Sequence, residues 1–234
     1  MKTLLLTILL AVSIGLPSAL SQQNDEPQDV KQKFAQLKQT VADNRAKLRN
    51  YQWLETTEVS IKGDTKKDEQ KACHYGPDGQ VQKTRLGAEP TQKDLPGGLR
   101  GKMAKKKITE MQDYMTRLKG LISHYAPPDP EKLQVSFNAG KAVMSASSTG
   151  VASLTFSDYY KPGDKVTFGF DTAASKLTNY DVNSYLDDQK DVVTLTNQFA
   201  TLPDNTNYLE QTVLTSKSKE IEIKTTNSNY GPYQ

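Results

Sequence analysis

The stretch that decides the fold runs from Val151 to Thr226. It opens VASLTFSDYY (151–160), KPGD (161–164), KVTFGF (165–170), DTAAS (171–175). It continues LTNYDVNSYL (177–186), DDQK (187–190), VVTLTNQFATL (192–202), PDNTN (203–207), YLEQTVLT (208–215) and IEIKTT (221–226). The longer runs are rich in Val, Thr, Phe and Tyr, and the gaps carry the Gly, Pro, Asp and Asn that turns need. Connections this short join only antiparallel neighbours, so the stretch predicts a β-meander. One face gathers Leu154, Phe156, Val166, Phe168, Phe170, Tyr180, Val182, Leu195 and Phe199, and the intervening residues are mostly Thr, Ser, Asn, Lys and Asp. The pattern predicts one buried face and one wet face.

Upstream, Pro130–Gly140 predicts a short helix carrying Leu133, Val135 and Phe137, and Lys141–Ser147 a strand leading into the meander. Before that comes a longer helix, Lys102–Tyr125, with Met103, Ile108, Met111, Met115, Leu118 and Ile122 at helical spacing. Methionines fill irregular core gaps, and they also line adaptable apolar binding surfaces. Arg100, Lys102, Lys105, Lys106 and Lys107 open this helix. Positive charge there opposes the helix dipole, which makes the run a candidate contact for an anionic partner or a plain solvated junction. Gly87–Gly101 is a long connection with Pro90, Pro96 and Gly97-Gly98, of the kind that serves as a lid or simply moves.

Further back, Tyr51–Ile61, Lys67–Tyr75 and Gln80–Leu86 form a second, three-stranded meander. Trp53, the only tryptophan, reads as a core anchor rather than a binding platform. Cys73, the only cysteine, reads as a small buried side chain. Val30, Phe34, Leu37, Val41 and Leu48 make one helical stripe ahead of these strands.

The N-terminus has the features of an export signal: Lys2, an apolar run from Leu4 to Leu16, and Ala19-Leu20-Ser21 as a small-x-small cleavage site. The expected division is a signal peptide over 1–21, a flexible lead-in over 22–29, one domain over 30–226 and a C-terminal tail over 227–234. The expected location is the periplasm or the extracellular space. Without Lys2, 29 basic residues face 27 acidic ones, interspersed, and neither a nucleic-acid partner nor a spanning segment is expected. Contact with a membrane surface stays compatible with this balance.

The chemistry of a reaction is not visible. His74 and His124 are the only histidines, too few with Cys73 for a structural zinc site. No nucleophile elbow, P-loop or dinucleotide fingerprint occurs. Asp187-Asp188 falls in a turn, where carboxylates bond to backbone amides. The expectation is a protein without catalytic residues, metal or cofactor.

The element order is then helix, three strands, long loop, two helices and about seven strands. This predicts an α+β fold, a curved antiparallel half-barrel covered by amphipathic helices. In that order, over about Val30 to Thr226, the chain resembles the periplasmic lipoprotein-carrier superfamily, the lipoprotein-localisation carriers and related lipid-binding proteins. The phrases Tyr160-Lys161-Pro162-Gly163-Asp164 and Tyr185-Leu186-Asp187-Asp188 also resemble a family of uncharacterised exported bacterial proteins. The first resemblance implies a concave face that holds acyl chains under helical lids. The functional expectation is therefore an exported, non-enzymatic carrier or sensor of lipid, lipoprotein acyl chains or another apolar ligand. Its expected apolar pocket comprises Met103, Met111, Met115, Phe156, Phe168, Phe170, Tyr180 and Phe199, with Arg100, Lys102, Lys105 and Lys106 meeting an anionic partner. The alternative is an envelope assembly module that docks a protein through a strand edge and holds no small molecule.

Overall fold

The computed structural model describes residues 39–40, 42–88, 98–146 and 150–233. The export signal, the lead-in, Val30, Phe34, Leu37 and Val41 of the first stripe, and residues 89–97 of the long connection lie outside them.

Among the described residues, ten strands form one antiparallel sheet. The first three are β1 (Tyr51–Ile61), β2 (Asp64–Tyr75) and β3 (Val81–Leu86). Seven more follow the helices: β4 (Ala142–Ala146), β5 (Val151–Ser157), β6 (Lys165–Asp171), β7 (Lys176–Tyr185), β8 (Val192–Thr201), β9 (Asn207–Ser216) and β10 (Ile221–Pro232). Their spatial order is β3-β2-β1-β10-β9-β8-β7-β6-β5-β4. Two meanders are thus joined through one long-range pairing of the first strand with the last, Ile61 opposite Ile221 and Tyr51 opposite Pro232. The sheet is curved and open, with β3 and β4 as its edges.

β10 corrects the expected tail. Residues 227–232 are strand, not an appendage, and Asn227 is buried. The β1–β10 register slips between Gln52 and Leu54, where Asn229 adopts φ 55°. The extra residue resets the in-out alternation, so that Asn227 and Tyr230 both reach the side of Trp53.

Among the described residues three helical elements accompany the sheet: α1, described at residues 39–40 and 42–48, α2 (Gly98–Ile122) and α3 (Pro130–Asn138). Asp129 caps α3, accepting the Glu131 N–H at 2.9 Å, and Pro130 supplies the preset φ of the first turn. The main core lies between β4–β10 and the second half of α2 with α3. Leu154, Phe156, Val166, Phe168, Tyr180, Val182 and Leu195 are buried there, the face read from the sequence, with Phe170 and Phe199 packed partly buried beside them. From α2 the buried side chains are Tyr114, Leu118, Leu121 and Tyr125, with Met111, Met115 and Ile122 flanking.

Two tyrosines fix that half of α2 to the sheet. The Tyr125 hydroxyl donates to Asp164 Oδ2 at 2.6 Å and lies 2.8 Å from Ser184 Oγ. The same Asp164 carboxylate accepts the backbone N–H groups of Tyr159, Tyr160 and Lys161. The turn around Lys161-Pro162-Gly163, with Gly163 at φ 83°, therefore folds over a fully buried carboxylate. Tyr114 does the same at the other loops, bonding Asp191 at 2.9 Å and Ser218 at 3.1 Å. Arg117 pairs with Asp187 nearby.

Candidate functional site

The residues expected to line an apolar pocket divide into two groups. Phe156, Phe168 and Tyr180 are closed in: the Phe156 and Phe168 rings meet edge to face at 6.0 Å, and Phe168 and Tyr180 are 4.8 Å apart. The Tyr180 hydroxyl is used as well, donating to the Tyr125 carbonyl at 2.6 Å. Phe170, Phe199, Met111 and Met115 pack against this cluster. Met103 does not, being 65% exposed on the first half of α2, beside exposed Ile108. Arg100, Lys102, Lys105 and Lys106 share that exposed half. The structure thus brings the aromatic face together under α2 and keeps the basic run apart from it.

A different concavity lies on the same face of the sheet at its other end. Three aromatic side chains from three strands wall it: Trp53 of β1, Tyr75 of β2 and Tyr230 of β10. Leu48 from α1, Val81 and Leu209 add aliphatic surface, and the volume is about 200 Å³. A dry cavity of ~150 Å³ already holds benzene. Trp53 stacks on Tyr230 at 5.4 Å with the planes 9° apart and meets Tyr75 at 5.5 Å. Its indole N–H donates to Asn227 Oδ1 at 3.0 Å, and Asn227 Nδ2 donates to the Leu209 carbonyl at 3.0 Å. Both the oxygen and the nitrogen of the amide are engaged, which holds the indole in place.

α1 covers this end through two polar contacts. The Asn207 backbone N–H donates to Asn44 Oδ1 at 3.0 Å, and Arg45 reaches the Gly79 carbonyl. Arg49 lies against Gly79, so close that a Cβ there would meet its guanidinium at 2.6 Å.

Register places charge beside the rings. Trp53 is opposite Cys73, and Cys73 opposite Lys83; one step along, Glu55 is opposite Lys71, and Lys71 opposite Arg85. Alternate residues share a face, so the strip passes from aromatic to charged along the strands. Glu55 is 8% exposed and bonded to Lys83 at 2.5 Å. Lys71 and Arg85 both approach Glu69 at 3.6 Å. Arg85 Nε is buried with no acceptor among the described residues. Burial raises the Tyr230 hydroxyl well above its ordinary range, and it raises that of Tyr75, with Arg45 and Arg49 opposing the rise. Neither hydroxyl has a hydrogen-bond partner among the described residues. Burial likewise raises the thiol of Cys73, which is 1% exposed.

Two larger depressions are bordered by charged side chains. One of about 390 Å³ is bordered by Asp129, Lys132 and the Lys141–Asp158 pair, and one of about 330 Å³ by Arg117, Asp187 and Lys219. No group of three or more His, Cys, Asp or Glu side chains is placed to hold a metal among the described residues. No described helix is long and apolar enough to cross a membrane.

The aromatic site escaped the sequence reading because Tyr230 falls in the segment taken for a tail and Tyr75 was read only as a strand end. Glu55, the one charged break in an apolar strand face, was the visible signal.

No family model and no curated protein matches the chain. Among solved structures, the chain is similar to the crystal structure of a DUF1329 family protein from Desulfovibrio piger, with a TM-score of 0.42 and 11% identity over 87% of this chain and 92% of that one.

Proposed function

We propose that the chain is an exported, non-enzymatic binding protein that carries or senses a small apolar group, and that the group enters the Trp53–Tyr75–Tyr230 cavity. The observation that carries this reading is an aromatic-walled space of about 200 Å³ bordered by two tyrosines whose hydroxyls have no partner among the described residues. Such sites combine apolar walls with a few convergent polar groups. The element order, which resembles that of lipoprotein carriers, supports the same reading, with α1 as the helical cover and the curved sheet as its frame. The Phe156–Phe168–Tyr180 face is then core, since its rings already contact one another and α2 pins them.

The test uses protein purified from an exporting host, whose mature chain is expected to begin at Gln22. Native mass spectrometry and lipid extraction should find a bound apolar molecule, and an apolar titrant should change Trp53 emission. Val81→Trp, which fills the cavity, should abolish binding without loss of fold. Met111→Trp, in the other cluster, should leave ligand affinity within about threefold. A ligand lost with Met111→Trp and kept with Val81→Trp would return the site to the Phe–Met face. Protein that neither co-purifies with nor takes up an apolar molecule would end the carrier reading.

A further inference from the structure

The charged strip beside the rings says which apolar molecule fits, and this step rests on the cavity reading above. We propose that the site selects an amphiphile with an anionic head, its apolar body against Trp53 and Tyr230 and its head on Lys83.

Three observations point to this. First, Lys83 borders the cavity, keeps its side chain 42% exposed and has one partner among the described residues, Glu55. An ammonium has three N–H donors, so two remain for a ligand. Second, the surroundings are positive. Arg45 of α1 and Arg49 of the turn after it act on Tyr75, and Lys71 and Arg85 continue the same face, against Glu55 and Glu69. Glu55 is itself engaged by Lys83, which leaves little to attract a cation. Third, donors lack acceptors among the described residues: the Tyr75 and Tyr230 hydroxyls on the cavity wall have no partner there, and neither does the buried Nε–H of Arg85, two residues along β3 from Lys83. A carboxylate, phosphate or sulfate oxygen supplies what these groups lack, whereas an alkylammonium head would add a donor where donors are already in excess. Hydrogen bonds to a charged partner are about twice as strong as neutral ones, so the preference is measurable.

The experiment titrates the full mature protein with octanoate, octanol and octylammonium near neutral pH, reading Trp53 emission. Octanoate should bind about tenfold more tightly than octanol, the scale of one charge-assisted hydrogen bond. Octylammonium should bind most weakly. In Lys83→Gln the advantage of octanoate should fall to within about threefold while octanol is unchanged. Because that variant leaves Glu55 buried without its cation, Lys83→Gln/Glu55→Gln is measured beside it, with circular dichroism as the fold control, and should show the same loss. Equal affinity for octanoate and octanol, tighter binding of octylammonium, or an octanoate preference that survives in the double variant would overturn the head-group assignment and leave the cavity reading standing. No response to any of the three would overturn the cavity reading itself.

Discussion

At the scale of single residues, Asp164 organises more of the molecule than any apolar side chain. Its carboxylate satisfies three backbone N–H groups and the Tyr125 hydroxyl, and it is fully buried. Asp164→Ala strands those donors, and each buried unsatisfied group costs ~1–3 kcal/mol, so a loss on the order of 3 kcal/mol or more is expected in urea unfolding. A loss below about 1 kcal/mol would show that water reaches the turn and replaces the carboxylate. Phe168→Ala removes a ring that touches two others and should cost ~3–5 kcal/mol. Lys165→Ala, at the exposed first residue of the same strand, should cost under ~0.5 kcal/mol. Equal small effects for the two would mean that burial in this strand contributes little. The sequence made the Phe168 assignment readable through alternation. The role of Asp164 was not readable, because Lys-Pro-Gly-Asp announces a turn without saying that its last side chain folds back to fill it.

At the scale of elements, the strands were legible and the joins were not. Seven strands after the helices and three before them follow from alternation and turn residues, which are local. The pairing of β1 with β10 is set by contacts some 170 residues apart, such as Trp53 to Asn227 at |i−j| = 174, and no local pattern encodes it. Asn227-Ser228-Asn229 resembles a turn, and in the strand it is a bulge. α2 shows a similar limit: spacing predicts one stripe, but only its second half meets the sheet, where Tyr114, Leu118, Leu121 and Tyr125 bury. Its first half presents Met103, Ile108 and the basic run outward. Truncation after Thr226 distinguishes strand from tail. It removes the hydrogen-bond acceptor of Trp53 and its stacked ring, so Trp53 emission should shift to the red and stability should fall by ~2–4 kcal/mol. An unchanged spectrum would show that residues 227–234 do not hold the indole.

At the scale of the whole molecule, both ends of the sheet are closed by tyrosine. Tyr114, Tyr125, Tyr159 and Tyr180 serve the main core, and Tyr75, Tyr208 and Tyr230 the aromatic end. Burial raises the hydroxyl of every one of these above its ordinary value of 10.0. In the folded protein they stay protonated at a pH where the unfolded chain ionises. Their contribution is therefore complete below pH ~10 and is lost as pH rises beyond it toward the folded values. Each tyrosine ionised only in the unfolded chain lowers stability by about 1.4 kcal/mol per pH unit, so even Tyr125 and Tyr180 alone produce a steep alkaline limb. Urea midpoints measured from about pH 8 to about pH 11 should be flat at first and then fall, and tyrosinate absorbance should rise together with unfolding. Absorbance that rises fully while the fold persists would mean that the hydroxyls reach solvent and that neither end of the sheet is sealed by them.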